Sequence, residues 1–169
     1  MFSIKGRGRH ALSLFLLWLL TGVSAAETIT EVNRLSFGKI VVLDNSEVST
    51  VTIYADGRQP KSSGDIVILD EGTHAIYQLF DFPPLQVVSI RVTGGIMYTG
   101  VLGGSKGNFT LSDFTLPGTV GGEINPPTAR TDANGDLTLL IGATFSTSGD
   151  GRTYYDGDYS ATVDILVTY

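Results

Sequence analysis

Asp132, Asn134 and Asp136 place three oxygen-bearing side chains at alternate positions, the spacing that opens a calcium loop. The remainder of such a loop is missing. Gly135 does not fall where the sharp turn is needed, Ala143 stands where a bidentate glutamate would close the shell, and no helical run flanks the segment. The spacing therefore reads as a polar turn, as does a second acidic group, Asp150, Asp156 and Asp158, set among Gly149, Gly151 and Gly157. His74 lies between Thr73 and Ala75, and beyond the first 26 residues it is the single histidine, so a multi-histidine metal site is excluded. No serine sits in a nucleophile-elbow context. The chain holds no cysteine, which removes disulfides, thiolate metal sites and a cysteine nucleophile. These residues lead us to expect no enzyme, no bound metal and no cofactor.

The elements that carry these residues read as strands. Phe37–Leu43, Val48–Tyr54, Asp65–Leu69, Ala75–Phe80, Leu85–Val92, Ile96–Leu102, Phe109–Leu116 and Leu137–Ile141 are short runs rich in Val, Ile, Thr and aromatic residues, separated by Gly, Pro and Asp-Gly signals. Asn134-Gly135 before Leu137 is a strong hairpin signal. The most regular run is the last. Tyr159, Ala161, Val163, Ile165, Val167 and Tyr169 alternate with Ser160, Thr162, Asp164, Leu166 and Thr168. No window after the first 26 residues has helical periodicity. Many short strands at this spacing predict an all-β domain, an immunoglobulin-like β-sandwich.

The N-terminal segment is of another kind. Lys5, Arg7 and Arg9 precede an apolar run, Ala11–Leu20, and small residues end at Ala25-Ala26. A basic start, a short apolar core and a small-residue exit predict a secretory signal over residues 1–26, and the apolar run is too short to span a bilayer. The mature chain is then one domain, 27–169. Loss of the signal takes three of the eleven Lys and Arg and none of the seventeen Asp and Glu, leaving eight against seventeen and a net charge of −9. So acidic a chain repels phosphate backbones, and no nucleic-acid partner is expected.

Several short segments add a resemblance. Leu35-Ser36-Phe37-Gly38-Lys39-Ile40, Tyr54-Ala55-Asp56-Gly57, Ser63-Gly64, Asp132-Ala133-Asn134-Gly135, Ile141-Gly142-Ala143-Thr144-Phe145 and Tyr155-Asp156-Gly157-Asp158-Tyr159 occur in this order before a final strand ending in Tyr169. The order resembles a family of bacterial exported β-domains similar to chaperone–usher pilins and spore-coat-U-like fimbrial subunits. That resemblance implies an incomplete, strand-accepting sandwich with an apolar groove beside its last strand. It further implies a periplasmic chaperone, an outer-membrane usher and like subunits as partners, and a route through the periplasm to a fimbria on the cell surface. Carried onto this sequence, Tyr159, Val163, Ile165, Val167 and Tyr169 would bind the chaperone or partner strand. Ile29 and Val32 would belong to a donor strand, although their spacing is not that of a strand face. The competing expectation is a self-contained secreted module that binds a glycan or protein through tyrosines such as Tyr54, Tyr77, Tyr98, Tyr154 and Tyr155.

Overall fold

The computed structural model describes residues 27–99, 109–116 and 128–169. The predicted signal segment, the side chain of Tyr98 and the Asn108 position of an Asn108-Phe109-Thr110 glycosylation triplet lie outside the described residues. Within them every regular element is a strand, and every strand pair is antiparallel. The domain is all-β and sandwich-like.

The largest sheet is organised around β11 (Leu137–Ser146). Its first half pairs with β6 (Ala75–Phe80), with Leu139 opposite Tyr77. Its second half pairs on one side with β3 (Thr50–Ile53) and on the other with β9 (Phe109–Thr115). Around this axis stand β1 (Thr28–Asn33) on β6, β4 (Lys61–Ser63) on β3, and β8 (Ile96–Thr99) on β9, followed by β12 (Tyr159–Ser160) on β8. Two smaller sheets cover it. One joins β10 (Thr128–Arg130), β7 (Val87–Thr93) and β13 (Asp164–Thr168) in that order, and the other pairs β2 (Lys39–Val42) with β5 (Ile66–Asp70).

Alternation along β11 builds the interior. Leu139, Ile141, Ala143 and Phe145 share one face and are all buried. Leu139 and Ile141 pack with Leu79, Val88, Ile90 and Phe82 under the three-stranded sheet. Ala143 and Phe145 pack with Val51, Ile66, Phe109 and Leu111 under the two-stranded sheet. Phe145 meets Phe37 and Phe109 edge to face, with ring centroids 5.0 and 4.8 Å away. On the opposite face, Gly142 sits where β11 exchanges β6 for β3. A β-carbon there would collide with the Ile53 carbonyl and the Ala55 amide, so the two backbones meet closely only because the residue is glycine.

Three expectations change. The run Leu137–Ile141 extends to Ser146, because Gly142 admits a neighbouring backbone and does not end the strand. The Asp132–Asp136 turn joins β10 to β11 in different sheets and is no hairpin; the Gly135 carbonyl accepts the Phe82 amide, which fixes the crossing. The run Tyr159–Tyr169 is two strands, β12 on β8 and β13 on β7. Its alternation survives the division, with Tyr159, Ala161, Val163, Ile165 and Val167 half-buried and the residues between them exposed.

Truncating Phe145 to Ala should cost about 3–5 kcal/mol, the range for a buried aromatic. Gly142→Ala should cost about 1–3 kcal/mol through overpacking alone. Denaturant unfolding of each variant checks both, and a neutral Gly142→Ala would show that the β11 crossing is not sterically tight.

Candidate partner-strand interface

β13 is the outermost strand of its sheet: Asp164 to Thr168 pair with Thr93 to Ser89 of β7, and among the described residues no strand pairs with its other edge. Ile165 and Val167 face the cluster under the three-stranded sheet; Val163, just before β13, and Tyr159 and Ala161 face the other cluster. Burial separates this row from β11. All four inward residues of β11 from Leu139 to Phe145 are buried, whereas all five from Tyr159 to Val167 are only half-buried. A core strand is covered on both flanks, and a strand with one neighbour leaves its inward side chains open along the free flank.

The residues singled out from sequence thus divide. Ile165 and Val167 share the free edge with Val163 at its start, while Tyr159 belongs to β12 and β8. The Tyr159 hydroxyl donates to the Tyr155 carbonyl and accepts from the Tyr155 amide, both at 3.1 Å, and burial raises its pKa above the ordinary value. Its ring lies edge-on to Phe109, 4.8 Å between centroids, so it acts as a core side chain. Tyr169 follows β13, packs edge-on against Phe82 at 6.1 Å, and hydrogen-bonds through its hydroxyl to the Glu27 carboxylate. That contact brings the start of β1 beside the end of β13.

β1 is the other border. It pairs with β6 of its own chain, so Ile29 and Val32 lie in an edge strand of the large sheet. Ile29 stands opposite Leu79, which has no exposed surface, so both point inward; Ile29 is nevertheless 42% exposed. Glu31, opposite Tyr77, shares that face and accepts a 3.2 Å hydrogen bond from the Tyr77 hydroxyl and a 2.7 Å bond from Arg34 Nε. The Arg34 hydrogen bond holds the Glu31 carboxyl below its ordinary range, while burial, then Glu31, raises the Tyr77 phenol. The pairing register slips between Glu31 and Asn33, leaving Val32 in a β-bulge. The segment is a strand although Ile29 and Val32 lack period-two spacing, because Ile29 alone of the two stands opposite a buried residue and Val32 is 54% exposed. Glu27 and Glu31, which border this edge, escaped sequence reasoning, although Glu27-x-Ile29-x-Glu31 is itself a period-two pattern.

The other candidates are internal supports. Asp132 Oδ1 accepts the amides of Asn134 at 2.8 Å and Asp136 at 2.9 Å, and these bonds hold its carboxyl below the ordinary range, that of Asp136 contributing most. Asp150 likewise accepts from the Arg152 amide, Ser148 and the Arg152 guanidinium. Buried Asn45 ties that loop down, donating to Ser148 Oγ, Asp150 Oδ1 and the Arg152 carbonyl and accepting from the Gly149 amide. His74 gives its carbonyl to Asn33. Among the described residues no three His, Asp or Glu side chains are placed to hold a metal ion. Of the tyrosines, Tyr154 is stacked on Phe109 at 4.3 Å, and one face of Tyr54 is covered by Arg58.

Asn45→Ala leaves several loop groups without their partner and should cost about 1–3 kcal/mol, read by chemical unfolding. Asp132 has a lowered folded-state pKa, so its contribution is present above the ordinary value of 3.8 and is lost as pH falls through the lower folded value. Asp132→Asn keeps the acceptor oxygen without the charge. Its melting temperature should therefore fall less steeply than that of the native chain below about pH 4; equal slopes would remove Asp132 from the acid response.

No curated protein and no solved structure gives a significant match to the chain. The family model described as a domain of unknown function, DUF4402, matches residues 28–169, and the chain belongs to that family.

Proposed function

We propose that the chain is a structural subunit of a bacterial surface fibre, exported through the periplasm and completed by a strand that a partner adds at the free edge of β13. The observation that carries this reading is the half-buried row Val163, Ile165 and Val167 beside an edge with no strand partner among the described residues. Strand addition at such an edge recruits two sources of affinity at once: ladder hydrogen bonds to the open backbone, and burial of alternate side chains against the half-covered row. An edge of this kind is also an aggregation hazard unless it is occupied, which is the physical need for a periplasmic chaperone. Head-to-tail addition that does not close on itself builds a filament. The usher, the chaperone and the like subunits enter through the resemblance of the sequence to pilins.

A second reading has its own support. β1 is already paired with β6 of the same chain, so the segment holding Ile29 and Val32 is not idle, as a donor strand awaiting a neighbour would be. That pairing favours a self-contained surface module. To donate β1, the chain would have to release it from β6.

Exporting the chain to the periplasm alone, and again with chaperones encoded beside it, separates the two readings. A fibre subunit is degraded or aggregates alone and accumulates with its chaperone; a stable soluble monomer that needs no helper sinks the fibre reading. Within the rescued protein, Ile165→Asp on the inward face should abolish chaperone binding and Leu166→Asp on the exposed face should preserve it. Polymers that still form after deletion of residues 27–32 would remove β1 as the donor.

A further inference from the structure

Among the described residues, two sheet edges lack a second strand partner and come together at one end. β13 offers Ile165 and Val167 on its inward face, and β1 offers Ile29 and Glu31 on its own, by the alternation that sets Ile29 opposite buried Leu79, with Glu27 just before the strand. Tyr169 joins the two borders at one end by reaching Glu27. Tyr77, beneath Glu31, packs against the same cluster as Ile165 and Val167, so both borders front one part of the interior. The seam is therefore apolar along β13 and acidic along β1. Arg34 offsets Glu31 from an exposed position, whereas among the described residues no ion pair engages Glu27.

Resting on the strand-acceptor reading, we infer that the strand this seam takes comes from a different protein, alternates apolar residues, and carries Lys or Arg where it passes Glu27 and Glu31. The chain's own β1 is a poor occupant. Laid into the seam of a second copy with Ile29 opposite Ile29, in either direction, it would bring its own glutamates against Glu27 and Glu31, and like charges facing one another across a strand pair are destabilising. Its Ile29 and Val32, three residues apart, also lack the alternation needed to follow Ile165 and Val167. A basic strand meets both carboxylates with opposite charge and supplies the regular alternation. The seam therefore selects against homopolymerisation and for a heterologous partner, which places this chain at a junction or an end of an assembly and not in its repeating shaft.

The test uses the full chain purified after export, with three synthetic peptides: an alternating Val/Thr strand with Lys at the positions facing Glu27 and Glu31, the same strand with Glu at those positions, and the chain's own segment 27–33. The Lys peptide should bind about tenfold more tightly than the Glu peptide at low salt, as expected when two cross-strand charge pairs change sign. The segment 27–33 should show no binding. In the variant Glu27→Gln with Glu31→Gln, whose melting temperature is checked against that of the native chain, the preference should disappear. If the Glu peptide or the segment 27–33 binds as tightly as the Lys peptide, the heterologous inference is overturned and the acceptor edge stands. If no peptide binds, the acceptor edge falls, and this inference with it.

Discussion

One row of side chains, Leu139, Ile141, Ala143 and Phe145 of β11, is the part on which the domain depends. It feeds both clusters, one under the three-stranded sheet and one under the two-stranded sheet, so neither covering sheet has an interior of its own. With no cysteine in the chain, burial against this row and the ladders on either side of β11 must do what disulfides do in other small domains. Gly142 is the condition for that arrangement. It lets a single strand serve β6, then β3, without a gap between them.

Sheets built on one central strand leave their cost at the margins. Among the described residues β1 and β13 are each paired with one neighbour, and their inward residues are exposed on β1 and half-buried on β13. An antiparallel domain can cover such a flank with its own chain, with charge, or with a partner. Here charge lies on the β1 side, in Glu27 and Glu31, while the β13 side is apolar. That asymmetry would make the flank selective as well as open.

Strand content was legible because alternation is a local property: β6 begins and ends where the sequence predicts, and the faces of the run from Tyr159 to Val167 are those predicted. Sheet membership was not, since nothing within Tyr159–Tyr169 says that β12 joins β8 while β13 joins β7; partners distant in the sequence decide it. Asn134-Gly135 has the composition of a hairpin turn, yet it crosses between sheets because Phe82 supplies the amide that the Gly135 carbonyl accepts. β1 was hidden because its apolar residues, Ile29 and Val32, are three apart and so share no face of a regular strand. The alternation of the apolar row that leads into β13 was therefore readable from sequence. The facing of Glu31 was not, because it depends on Leu79 and Tyr77 fixing which way β1 faces.

Amide hydrogen exchange along β13 in the isolated chain is the most direct measurement of whether that edge is open. An open edge predicts a two-residue rhythm from Asp164 to Thr168, with amides bonded to β7 protected and those between them exchanging near the rate of unstructured backbone. A bound partner strand should then protect the fast set. Uniform protection of all β13 amides in the isolated chain would mean that the chain already covers the edge itself, and would contradict the strand-acceptor reading.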